Sequence, residues 1–94
     1  MTAAEPPTVK TWKVRIDLGE HGGETRAVAH LETGTGTELT GRGAAHKHPA
    51  DPLVPEIGDE LAAARALAQL AHLLLDAAAG DLSDVLHQHG RVEE

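Results

Sequence analysis

The 94-residue chain predicts a single α+β domain, a three-stranded antiparallel sheet followed by one long and one short helix in the order β-β-β-α-α. Two observations carry that prediction. The first half holds three short stretches in which apolar and polar residues alternate, divided by glycine-rich turns, as half-buried strands do. The second half changes to an almost unbroken run of leucine and alanine that is too long for a strand.

Met1 to Thr8, with Pro6-Pro7, reads as a flexible tail. Val9 to Leu18 is the first strand: Trp12, Val14, Ile16 and Leu18 alternate with Lys13, Arg15 and Asp17. Gly19 to Glu24, with Gly22-Gly23, is a turn. Thr25 to Glu32 is the second strand, with Ala27, Ala29 and Leu31 on one face and Arg26, Val28 and His30 on the other. Thr33 to Thr37 is the next turn, and Glu38 to His46 the third strand. Leu39, Gly41, Gly43 and Ala45 share its inner face, and glycines there predict something packed closely against the sheet. From His48 to Pro55, Pro49, Pro52 and Pro55 stand three apart, as in an extended polyproline II connector. A crossover to the helix explains that spacing without a PxxP ligand.

The long helix begins near Pro55, since proline suits a first helical position. Glu56, Asp59 and Glu60 favour the positive end of its dipole. Gly80 reads as its C-terminal cap after Ala79. Asp81 then caps a short second helix, Leu82 to Gln88, which Gly90 stops, so the domain spans residues 9–90 and 91–94 form a tail. Beyond the first turn, the polar residues of the long helix are Arg65, Gln69, His72 and Asp76, one narrow stripe at i, i+4, i+7 and i+11. A surface helix normally carries an apolar stripe on a polar cylinder; here the proportions are reversed. The pattern predicts cover on at least two sides, by the sheet and by the short helix or a partner chain, and hence a homodimer.

Composition narrows the function. The core material is thin: 12 Leu, 6 Val, 2 Ile and one Trp, no Phe or Tyr, and 16 Ala that each bury little. Self-association would add partner surface to such a core. With no cysteine, disulfides and thiolate metal sites are excluded, which fits a cytoplasmic protein. The N-terminus has neither the basic start nor the apolar run of a signal peptide. The longest apolar stretch, Leu61 to Ala79, contains Arg65, His72 and Asp76 and does not read as a membrane span. Residues 1–50 hold six Lys/Arg and six Asp/Glu; residues 51–94 hold two and nine, which accounts for the whole net charge of −7. Phosphate attraction supplies most nucleic-acid affinity, so any such binding would use the N-terminal half.

The chemistry-bearing residues do not assemble into an expected active site. His46 and His48 share a face only if extended, His87 and His89 diverge on a helix, and neither pair has the third ligand zinc needs. Ser83 is the only serine and lacks a nucleophile-elbow motif. Asp59-Glu60 fits the first turn of a helix, and the glycines of 33–43 lack the GK[ST] of a phosphate loop. No enzyme, metal or cofactor is therefore expected. One cluster remains. If Trp12, Val14, Ala27 and Leu39 face the helix, the other sheet face shows Lys13, Arg15, Arg26, His30, Arg42 and His46, with Asp17, Glu32 and Thr40 among them. This is either a solvated face of mixed charge or a phosphate-contact surface. No outward aromatic offers base stacking, so RNA would be held by backbone and shape.

Trp12-x-Val14-x-Ile16, Thr25-Arg26-Ala27-x-Ala29-x-Leu31, Leu39-x-Gly41-x-Gly43 and above all Val54-Pro55-Glu56-Ile57-Gly58-Asp59-Glu60-Leu61 closely resemble a small actinobacterial family of unknown function described as dsRBD-like. The resemblance covers residues 10–86. It implies the β-β-β-α-α fold and a tight dimer. It also implies kinship with dormancy-associated mycobacterial proteins similar to ribosome hibernation-promoting factors. Relatives often carry arginine where His46 stands, and histidine holds little charge at neutral pH. The expectation is a non-enzymatic stress or dormancy protein that engages ribosomal RNA or the small subunit through Lys13, Arg15, Arg26, Arg42, His46 and Lys47. The rival expectation is a homodimeric protein-interaction module without RNA.

Overall fold

The computed structural model describes residues 8–48 and 54–92. The expected N-terminal tail, apart from Thr8, lies outside them, as do residues 49–53 of the connector and the last two residues. Strands β1 (Lys13–His21), β2 (Glu24–Glu32) and β3 (Glu38–His46) precede one helix, α1 (Pro55–Val92). The sheet is antiparallel in the order β1-β2-β3.

The first hairpin is tighter than the sequence suggests. Gly22 and Gly23 both have positive φ (58° and 81°), as a two-residue type I′ turn requires. The strands therefore run up to the glycines, and His21 pairs with Glu24. β1 accordingly starts four residues and ends three residues further on than its alternation indicated, and Val9 to Trp12 precede it unpaired.

The expected short second helix does not exist. α1 continues through Gly80 for 38 residues. Gly80 is not among the glycines with positive φ, so it serves as a helical residue and not as a left-handed cap. Glycine inside a helix costs about 1 kcal/mol relative to alanine, too little to end one flanked by Ala77–Ala79 and Leu82. Gly90 does not stop the helix either, and the expected tail is partly helical.

The glycines of β3 seat the helix, as their spacing suggested. A Cβ on Gly41 would strike the Ala66 carbonyl oxygen and the Leu70 nitrogen, and one on Gly43 would strike the Ala66 nitrogen and the Ala62 carbonyl oxygen. Backbone thus lies on backbone. α1 covers β3 and β2 and hardly touches β1. The buried apolar residues are Ala27, Ala29, Leu31, Ala45, Ala62, Ala66 and Leu70, with Ile16, Leu39 and Leu74 packed at the margin. Five of these seven are alanines, so the closeness of approach, and not side-chain volume, makes the core.

The large apolar side chains lie elsewhere. Leu75 is 68% exposed, Leu86 62% and Leu82 59%. Every residue from Ala78 to Gln88 is exposed. Trp12 does not fill the core either: it sits ahead of β1 at 53% exposure, and Val14 and Leu18 beside it are nearly half exposed. Nine-residue strands reach about 30 Å, whereas 38 helical residues reach about 57 Å. The last turns of α1 therefore project past the sheet.

Candidate functional site

Two surfaces compete for the functional role: the charged outer face of the sheet and the apolar side that α1 and β1 leave open.

The outer face follows from register. Paired residues of antiparallel strands point the same way, so Lys13, Arg15, Arg26, His30, Arg42 and His46 do share one side. Lys47 follows the last residue of β3. With Thr25, Gly58 and Leu61 it lines a hollow of about 430 Å³ between the hairpin and the helix start. Its backbone nitrogen donates to the Gly23 carbonyl oxygen at 2.9 Å, closing the end of the sheet.

The outer face also carries Asp17, Glu24, Glu32 and Glu38. Four carboxylates therefore stand against four Lys or Arg. Sequence reasoning missed Glu24 and Glu38 as members, because one was placed in a turn and the other at a strand end. The pairs are formed. Arg26 Nε donates to Glu24 Oε1 at 2.7 Å, and His46 Nε2 lies 3.5 Å from Glu24 Oε2. Arg15 Nε and His30 Nε2 each lie 3.4 Å from Asp17 Oδ2. Lys13 is register-paired with Glu32. These are exposed pairs, worth little to stability, yet each lowers the local positive potential that a phosphate would meet.

The polar stripe of α1 has a defined task. Arg65 Nη1 donates to the Ala44 carbonyl oxygen at 2.8 Å, and the Arg42 backbone nitrogen donates to Gln69 Oε1. Both backbone groups belong to the free edge of β3. Two side chains of the helix thus occupy hydrogen-bonding groups that would otherwise recruit another strand.

The opposite side of the molecule is open. β1 is the other edge strand, and apart from Ile16 α1 leaves its inner face open: Trp12, Val14 and Leu18 form an apolar shelf beside the helix. At 100° per residue, Arg65 and Gln69 mark the β3 flank of α1, so Leu67 and Leu74 flank the β1 side. Leu61, Leu75, Leu82 and Leu86 point away from the sheet. By length and composition α1 is apolar enough to cross a bilayer, and little of it is buried in the protein.

Residues 10–91 match the sequence profile of the family described as Rv2632c-like. The chain belongs to the Rv2632c-like family. The uncharacterized protein Mb1767 of Mycobacterium bovis is 47% identical over 81 residues, covering 86% of this chain and 85% of that protein. The uncharacterized protein Rv2632c of Mycobacterium tuberculosis is 42% identical over 79 residues, 84% of each. The crystal structure of Rv2632c superposes with a TM-score of 0.80 at 38% identity, covering 88% of this chain and 98% of that one. The expected resemblance to an actinobacterial family of unknown function is thereby established at the level of the Rv2632c-like family.

Proposed function

We propose that this member of the Rv2632c-like family is a non-enzymatic, cytoplasmic interaction module that works as a homodimer. One observation carries the reading: the chain buries alanine inside and displays leucine outside. Only Leu31 and Leu70 of the described leucines are buried, while an apolar face runs along a helix and none of the described residues covers it. The short helix that would have folded back over it is part of α1 itself, so the cover comes from another molecule. A bilayer fits poorly, because membrane-surface helices carry Lys and Arg beside the apolar face, and residues 51–94 hold nine acidic residues against two basic ones. Sedimentation equilibrium at micromolar concentration tests the reading. A mass near 19.6 kDa, twice the 9.8 kDa chain, is expected; a monomer overturns it.

A second reading retains the ribosome. The sheet gathers Lys13, Arg15, Arg26 and Arg42 on one side, with His46 beside them, and the three strands and following helix are the part of the fold a dsRBD-like likeness concerns. In this reading a stress or dormancy protein of the hibernation-factor kind would hold ribosomal RNA by phosphate contacts, with Lys47 assisting from the sheet end. The four carboxylates of the same face oppose it, and they are the reason it stands second. Co-sedimentation with small ribosomal subunits at 50 and 200 mM salt decides: pelleting that is saturable, lost at the higher salt and abolished by Arg26→Glu with Arg42→Glu supports RNA binding. No pelleting at either salt removes it.

A further inference from the structure

We infer that the bare face of β1 is the seat for α1 of a second copy, so that two sheets enclose two antiparallel helices in a two-fold sandwich. This rests on the homodimer reading and specifies how the dimer is built.

The first argument is angular. Around α1, one flank (Arg65, Gln69, His72, Asp76) faces the β3 edge, and a second (Ala62, Ala66, Leu70) lies on the protein's own sheet. The remaining two, the β1 flank and the outward side, contain no Asp, Glu, Lys or Arg from Leu61 to Gly80, and Asp81 then ends the apolar β1 flank one heptad after Leu74. A partner must therefore cover two directions at once. Joining the molecules edge to edge through β1 covers neither. It would set the two helices about 20 Å apart, four strand spacings, whereas packed helices lie about 8–10 Å apart. The sandwich covers both: the partner's helix meets the β1 flank, and the partner's β1 meets the outward leucines.

The second argument is fit. A helix about 10 Å across covers two strands spaced about 4.8 Å, so a three-stranded sheet with one helix leaves room beside it for another. Where the β1 flank meets the outward side, Ala64, Ala71 and Ala78 recur every seven residues with Leu67 and Leu74 between them, the spacing of a helix-pair seam. A two-fold axis at Ala71 sets Ala78 beside Ala64 of the partner subunit. It also carries the overhanging turns of each helix onto the partner's sheet. The third argument is area. Six helix residues (Leu61, Leu67, Leu75, Leu82, Val85, Leu86) and three at β1 (Trp12, Val14, Leu18) are each between 41% and 68% exposed. Together they present on the order of 900 Å², against about 800 Å² per partner in a standard interface.

Single cysteines report the geometry, because the chain has none. Ala71→Cys, at the axis, should form an interchain disulfide under mild oxidation in most of the protein. Leu75→Glu, placed over the partner's β1, should weaken dimerisation by about 100-fold while the far-ultraviolet circular dichroism stays helical. A dimer that neither cross-links at Ala71→Cys nor dissociates with Leu75→Glu overturns the sandwich and leaves the homodimer standing, joined elsewhere. A wild-type monomer overturns both. A monomer that floats with vesicles of phosphatidylglycerol and phosphatidylcholine would overturn both and assign the leucines to lipid.

Discussion

The two edges of the sheet are built to opposite ends. At β3 the helix lies backbone to backbone on Gly41 and Gly43, and Arg65 and Gln69 take up two of the edge's hydrogen-bonding groups. At β1 no described side chain caps the edge, and Trp12, Val14 and Leu18 are about half exposed. Proteins usually guard edge strands. A chain that guards one and leaves the other bare, with a leucine-covered helix beside it, has one closed side and one open side.

Substitutions test that division, and the closed side should react most. Gly43→Val sets a branched side chain against the backbone of Ala62 and Ala66 and should lose about 3 kcal/mol. Urea denaturation at one fixed protein concentration measures it, since the apparent stability of a protein that self-associates depends on concentration. A variant as stable as the parent would mean that the helix can step off β3, and the contrast between edges would fall. Removing the β3 cap with Arg65→Ala and Gln69→Ala together should cost about 2 kcal/mol and expose the edge to strand addition. Aggregation seen by light scattering would mark that second effect.

Gly80→Ala should act the other way. In a continuous helix it should gain about 1 kcal/mol and strengthen the 222 nm signal; a loss would restore the cap and the short second helix. The smallest effect belongs to the outer face. Arg26→Ala breaks an exposed pair with Glu24 and should change stability by less than about 0.5 kcal/mol. A larger loss would show that the charged face helps to hold the fold.

Much of this was legible before the structure. Alternation placed β2 and β3 at nearly their observed bounds, because period two survives wherever one face is buried. The glycines of β3 announced close packing for a local reason: no other residue lets a helix backbone approach so near. The shared side of Lys13, Arg15, Arg26, Arg42 and His46 followed from the same parity. Gly80 misled because glycine caps helices only when the chain must turn, and nothing local states whether it does. Glu24 was misplaced because a two-residue turn returned it to the strand, where it meets Arg26 and His46.

The sequence by itself determined the β-β-β-α order, the apolar excess of the long helix and the acidic bias of the second half, since periodicity and composition are local properties. Tertiary structure alone decided that the helix sits on β2 and β3, that its polar stripe caps the β3 edge and that β1 stays bare. Those outcomes depend on contacts between residues 21 to 27 positions apart in the chain. Such contacts form only once Gly41 and Gly43 have let the helix settle to backbone distance.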